Sequence, residues 1–520
     1  MRGPLLGVVL AAGIAGWSAP ASAEGPAPGA DGFSTPKVIE GEGDKPNSDK
    51  PPGDKPGGDK PAEPAKAAAP PAEAAPDAGK PPPSGFAFGS YGRMIAATDF
   101  KGRPGRDADI VARGSRLDES NYVELELRRD DYWAKTDSTT KVVATLAFAN
   151  PIFHYNGDFN VKMAIRNLFI EESDLGAKGL SVWAGSRMYR GDDIYLLDFW
   201  PLDNLNTMGA GARYQIMKST SLAVHGGLNE PKAPFYLQEV QRPSPLNAIG
   251  STTVAVLDRQ RFIGSLKATH EIPFGKAGVK ASLYGEVHSL PSGQKETDPR
   301  VFETLPGESG YVIGAQLGAW TGERAGHANL FFRYASGIAA YGELNAPSQL
   351  GLDRSTAGAH ELLIAFGGNW EASIFGIMAG GYFRSFRNAS PDLDRSDLDE
   401  GIVIARPHLF FGELGGVAVE ASYQAQQRGV VTISNDAGQP AQTSGPLTAS
   451  LVRFGLIPFI SPAGRGDFSR PHFRLIYTVT LRDQAARSLY PQDDVFSLRA
   501  VEHFLGVGAE WWFNSSSYSR

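Results

Sequence analysis

The sequence predicts an all-β chain: a transmembrane antiparallel β-barrel of about 18 strands, with one loop folded into its lumen and a disordered Pro-rich segment before the first strand. Three observations carry this. Short alternating segments recur from residue 86 to residue 513, with Gly, Pro, Asp and Asn filling the gaps. No stretch after residue 86 reaches the 18 or so consecutive apolar residues that a membrane helix needs. One stretch, 181–212, breaks the alternation with a run that is both apolar and acidic.

The alternating segments fall at 86–96, 121–128, 141–149, 163–171, 180–189, 212–217, 221–228, 260–272, 277–290, 310–320, 327–337, 360–370, 371–386, 401–412, 415–429, 447–460, 470–483 and 499–513. Their even number suits a bacterial outer-membrane barrel. Their polarity suits it too. In 121–128, Val123, Leu125 and Leu127 share one face, while Tyr122, Glu124 and Glu126 share the other. If the aliphatic face meets lipid, the carboxylates need water inside the barrel. A soluble sandwich or solenoid is the competing fold. The terminal Trp511-Trp512-Phe513 and a leader sequence weigh against it.

That leader is 1–23. Arg2 gives a basic start, an apolar run follows, and Ala21-Ser22-Ala23 fits the small-residue cleavage rule. Residues 24–85 are Pro, Ala, Gly, Lys, Asp and Glu, with Asp-Lys-Pro repeated at Asp44, Asp49, Asp54 and Asp59. Such a segment cannot bury enough apolar surface to offset its ordering entropy. It reads as a disordered spacer of polyproline II character, or as a periplasmic tether to the cell wall. Residues 86–520 form the barrel domain. The chain has no cysteine, which excludes disulfides and thiolate metal sites. The net charge of −7 and the lack of basic runs argue against nucleic acid.

Within 181–212, Trp183, Gly185, Arg187 and Tyr189 share one face of a strand, and Val182, Ala184, Ser186 and Met188 the other. Then Asp192, Asp193, Asp198 and Asp203 stand among Ile194, Tyr195, Leu196, Leu197, Phe199 and Trp200. A loop tucked into a polar, water-containing cavity suits both halves; a plain strand followed by an amphipathic surface helix is the alternative. Enzyme signatures fail. There is no G-x-S-x-G, and His270-Glu271 and His360-Glu361 meet Phe274 and Ile364 where a zinc protease has its second histidine. The histidines are scattered, and nothing calls for a metal or another cofactor.

The stretch Trp183-Ala184-Gly185-Ser186-Arg187-Met188-Tyr189, followed by Asp193, Asp198-Phe199-Trp200, Asp203 and Gly209-Ala210-Gly211, is similar to the central motif of maltoporin-type carbohydrate porins. Phe88-Gly89-Ser90-Tyr91-Gly92-Arg93 and Asn121-Tyr122-Val123-Glu124-Leu125 resemble that family's first two strands. Ser469-Arg470-Pro471 and the end of the chain resemble its last two. The resemblance implies an outer-membrane homotrimer of 18-stranded barrels, with the third loop as constriction. It implies facilitated diffusion of small sugars and oligosaccharides of the maltose/maltodextrin type. Aromatic slide positions would fall at Tyr91, Tyr122, Trp200 and Trp512, and polar track positions at Arg93, Arg116, Glu124, Arg166 and Asp198. Aromatic faces suit a sugar's apolar C–H faces, and charged groups suit its hydroxyl rim. Girdle or wall packing is the other reading of each aromatic.

Some positions depart from the family. The aromatic that a neighbouring subunit would lend falls near Tyr155 or Phe159. Two mid-barrel slide positions fall at Ile313 and near Ile402, and the constriction arginine falls at Gly191 beside Arg190. A general or sucrose/glucose-type porin, and a barrel serving as a cell-wall tether, stay open beside the maltodextrin reading.

Overall fold

The computed structural model describes residues 84–515 apart from 150–151, 155–156, 158, 245–249, 323–325, 348–349, 352, 390–396 and 433–441. The expected leader, nearly all of the Pro-rich segment, Tyr155 and residues 516–520 lie outside the described residues.

Eighteen strands form one closed antiparallel sheet. The first seven are β1 (Gly85–Thr98), β2 (Tyr122–Trp133), β3 (Ser138–Ala149), β4 (Lys162–Ser173), β5 (Leu180–Arg190), β6 (Asn204–Met217) and β7 (Thr220–Asn229). Then come Arg261–Phe274, Ala277–Leu290, Glu308–Thr321, His327–Gly337, His360–Glu371, Phe375–Arg387, Leu398–Phe411, Gly415–Thr432, Gln442–Ile460, His472–Arg482 and Val501–Phe513. Closure is direct: Tyr91 of β1 sits opposite Glu124 of β2 on one side and Trp512 of the last strand on the other. Each strand joins the next in sequence, so no backbone edge is left open to lipid. No helix among the described residues is long and apolar enough to cross a membrane; the strands do that.

Strand faces follow the alternation. In β2, Leu125 and Leu127 are 38% and 60% exposed on the outside, while Glu124 and Glu126 are 0% and 1% exposed on the lumen side. Short turns alternate with long connections along the chain, so one rim is compact and the other is built up. The long connections hold two hairpins that strand rhythm alone did not predict. Leu237–Pro243 pairs with Ser251–Asp258, and Gly293–Asp298 pairs with Val301–Leu305. Arg242 and Glu296 tie one to the other at 2.6 Å. The strand expected at 212–217 begins eight residues earlier, at Asn204. Residues 204–211 are rich in Asn and Gly, which are poor strand formers, and their pairing with β5 supplies the order. At the other end, Asp483 leaves the strand expected to 483 and caps the short helix Gln484–Ser488.

Several connections enter the lumen. Residues 99–121, 191–203 and 338–359 place Ile110, Val111, Ile194, Leu196, Leu197, Phe199, Leu202, Ala339 and Ala340 in one buried cluster. The cluster includes inward side chains of the wall, among them Tyr284, Val312, Phe331, Leu363, Met378, Tyr382, Ile402 and Ile404. Ile402, proposed at a slide position, is fully buried there. Ile313 faces outward and is 52% exposed, so it lies off the lumen.

Candidate functional site

The constriction loop, 191–203, is stiff by construction. Tyr195–Leu197 form a single 3-10 turn, and Ile194 N–H donates to Phe199 O at 2.7 Å. Asp198 closes the turn at φ +48°, a left-handed conformation that Asp tolerates better than most residues. The loop is then pinned at its ends, tip and back. Asp192 accepts from Lys280 at 2.5 Å and from Gln316 at 2.6 Å, and Asp203 from Lys267 at 2.8 Å. On the far wall, Ile194 lies over Gly367 and Gly380, and Leu202 over Gly314. A Cβ at Gly380 would stand 2.6 Å from Ile194 Cγ2, so glycine there is what lets the loop seat.

The tip reaches the strand that closes the barrel. Tyr195 Oη–H donates to Glu510 Oε2 at 2.6 Å, and Arg470 donates to the same hydroxyl. Glu510 also takes Arg116 at 3.1 Å, Arg470 at 2.9 Å and Arg474 at 3.4 Å. Arg470 belongs to the turn 461–471, which folds inward from the compact rim. Phe468 of that turn meets the Tyr195 ring edge-on at 5.5 Å. So the constriction has a floor as well as a bar. Charged hydrogen bonds of this kind are the strong ones, and inside a barrel wall they are weakly screened.

Eight of the nine residues singled out from the sequence gather on the near side of this loop. Tyr91 and Tyr122 have ring centroids 6.0 Å apart. Arg93 Nη1 donates to the Tyr91 hydroxyl at 3.0 Å and to Asp198 at 3.4 Å, and its guanidinium lies 5.3 Å from the Tyr122 ring centre. Arg116, on a 3-10 turn of the connection 99–121, donates to Tyr91 at 2.5 Å. Glu124 accepts from Tyr122 at 2.5 Å and from Arg166 at 2.8 Å. Trp512 faces inward, with Arg470 at 4.2 Å over its ring and Tyr195 edge-on at 6.0 Å. Its neighbour Trp511 instead donates to Ser90 on the opposite strand face. Trp200 stands apart. Its ring is 7% exposed and carries the Arg190 guanidinium at 3.9 Å. Tyr91 and Glu124 are fully buried, whereas Tyr122 and the side chains of Arg93, Asp198 and Arg166 are half-buried.

The near wall continues past these residues. Arg187 pairs with Glu171 at 2.5 Å and lies 4.6 Å from both the Phe169 and Trp183 rings. Tyr189 and Trp183 run nearly parallel, 5.7 Å apart. This is a surface of partly exposed ion pairs laid over aromatic faces. It can exchange hydrogen bonds with hydroxyls without offering any single deep trap. Phe159, where a neighbouring subunit's aromatic was expected, is 87% exposed and stacked on His154.

Sequence reasoning missed Tyr195, Phe468, Arg470 as a lumen anchor, and Glu510. Glu510 was within reach, because it shares a strand face with Trp512. Among the carboxyls off the strands whose acidity is shifted are Glu343 and Asp99. Desolvation lifts Glu343, which accepts from Asn206 N at 2.8 Å and Nδ2 at 2.7 Å, to about 7. The Arg499 hydrogen bond draws Asp99 down to about 2.

The family model described as LamB porin matches residues 86–513. The maltoporin of Vibrio cholerae serotype O1 is 25% identical over 455 residues, spanning 82% of this chain and 96% of that protein. Among solved structures, OccD3 of Pseudomonas aeruginosa superposes with a TM-score of 0.39 at 12% identity, covering 82% of this chain and 91% of its own. The trimer form of OmpT from Vibrio cholerae gives a TM-score of 0.38 at 12% identity, covering 83% and 99%.

Proposed function

The chain belongs to the LamB porin family, and from that premise we propose that this outer-membrane sugar channel passes maltose- and maltodextrin-type sugars by facilitated diffusion. It is a channel and not an enzyme. The observation that carries the finer reading is the chain of contacts from Arg166 through Glu124, Tyr122, Tyr91 and Arg93 to Asp198 on the near side of the constriction loop. A glucosyl ring sliding there would rest its C–H face on Tyr122 and Trp512. It would pass its hydroxyls from Arg166 and Glu124 to Arg93, Arg116 and Asp198. Trp200 would take part when Arg190 swings off its face. Stacking on an aromatic face is worth roughly 1–3 kcal/mol per ring in nucleic-acid sites. The low end suits a pore that must also release its cargo.

A second reading has its own observation. Burial of Tyr91 and Trp200 shortens the exposed slide and favours mono- and disaccharides of the glucose or sucrose type over long oligomers. The same proposal takes residues 1–23 as a cleaved signal, 24–85 as a periplasmic spacer with cell-wall contact, and the assembly as a homotrimer. Planar-bilayer conductance of the purified protein tests the channel reading. Ion current that falls on titration with maltotriose more steeply than with sucrose or glucose supports the maltodextrin reading. Steeper block by the smaller sugars supports the second, and current indifferent to every sugar removes both.

A further inference from the structure

Above the far wall, the connection 99–121 crosses to strands Leu398–Phe411 and Gly415–Thr432. Ile110 N–H donates to Gln424 at 3.0 Å, and Ala112 N–H donates to Glu400 Oε2 at 3.1 Å. That second bond fixes Arg113 beside Glu400. Its guanidinium lies 4.9 Å from the centre of the Phe199 ring on the constriction loop, and it is half-buried with no ion pair among the described residues. Phe199 in turn packs on Tyr382, with centroids 5.4 Å apart.

This corner is rich in positive charge. Arg384 bonds Glu361 at 2.6 Å and Glu400 at 3.3 Å, and Arg333 reaches Glu361 at 3.5 Å. Arg428, on the same inward face as Gln426, bonds it through Nε. Arg113, Arg333, Arg384 and Arg428 thus stand against Glu361, Glu400 and Asp198, four guanidinium groups to three carboxylates. Two donors are left over. Tyr382 is 0% exposed, and its hydroxyl has no hydrogen-bond partner; Arg333 Nε is buried without one. A buried phenol without a partner is costly, and a bound group that accepts its proton is one explanation.

We infer that this corner is an anion subsite for the carboxylate of a sugar acid, resting on the reading of the lumen as a sugar path. The guanidinium fork of Arg113 matches a carboxylate's two oxygens, and Tyr382 O–H offers a third donor. The subsite makes the channel favour acidic over neutral saccharides of equal size.

Bilayer recordings test this with galacturonate and galactose as matched probes, and with maltotriose as the control for the near-side track. Wild-type current is expected to be blocked by galacturonate at a concentration about five- to ten-fold lower than by galactose. Arg113→Gln should abolish that difference while maltotriose block persists, and Arg113→Lys should keep part of it. Should Arg113→Gln fail to insert, Tyr382→Phe is read the same way, with a smaller loss of preference. Equal block by the two probes in the wild type overturns the subsite. So does a preference that survives Arg113→Gln or, where that variant fails to insert, Tyr382→Phe. Loss of maltotriose block in the wild type would instead strike the sugar-path reading.

Discussion

The two walls that flank the constriction loop are built from different materials. The far wall meets it with Gly314, Gly367, Gly380, Leu363, Met378, Ile402 and Ile404, a flat apolar seat for Ile194, Leu196, Phe199 and Leu202. The near wall meets it with Arg93, and beyond that lie Tyr122, Glu124, Arg166 and Arg187. Burying the loop's apolar side chains is worth about 1.5–3 kcal/mol each, as an upper bound. The near wall contributes little of that and keeps Arg93, Tyr122, Arg166 and Arg187 partly wet. One loop therefore has a back that holds it and a front that meets the passing solute.

Variants that attack one side alone can break this contrast. The largest effect is expected from Glu510→Ala, which strips Arg116, Arg470 and Arg474 of their shared carboxylate and Tyr195 of its acceptor. Removing one partner of a buried ion pair costs roughly 3–5 kcal/mol. Chemical unfolding should shift accordingly, and single-channel current should become noisy as the loop tip lets go. Next comes Gly380→Leu on the back. Its side chain would displace Ile194 and push the loop toward the near wall, so conductance should drop although no track residue has changed. Unaltered conductance would mean that the loop is not seated there.

Much of this architecture could be read before any coordinates. Each of the eighteen strands overlaps a segment that alternation marks, though β6 begins eight residues before its segment, because lipid outside and water inside force a period of two. The loop was legible because Asp192, Asp198 and Asp203 beside Ile194, Leu196 and Phe199 suit neither solvent nor an ordinary core. What stayed hidden was contact at long range. Glu510 and Tyr195 are far apart in sequence, and only barrel closure brings them together. Ser469-Arg470-Pro471 reads in sequence as the opening of a strand, whereas the strand begins at His472 and Arg470, with Phe468 before it, folds inward against the loop tip. The two outer hairpins escaped notice because each pairs only within itself, outside the barrel sheet, and leaves no lipid-facing pattern.

Smaller effects sharpen the contrast. Trp200→Ala, at the loop residue covered by Arg190, should weaken sugar block about five-fold and raise conductance by widening the neck. Unchanged block with a less stable assembly would assign Trp200 to wall packing. Smallest is the pH response of Glu343. Its acidity in the folded chain is lifted to about 7, so the folded state holds the proton longer than the unfolded one. Its stabilising contribution is full below the ordinary carboxyl range and is lost as pH rises through about 7. Melting temperature should therefore fall slightly between pH 5 and 8, flanking that value, and Glu343→Gln should flatten that slope.

Maltotriose block of single-channel current, compared between Tyr122→Ala on the near wall and Met378→Ala on the far wall, tests the division of labour most directly. Tyr122→Ala should raise the half-blocking concentration about five-fold, and Met378→Ala should leave it within error of the wild type. Equal shifts from both variants, or a shift from Met378→Ala alone, would contradict it.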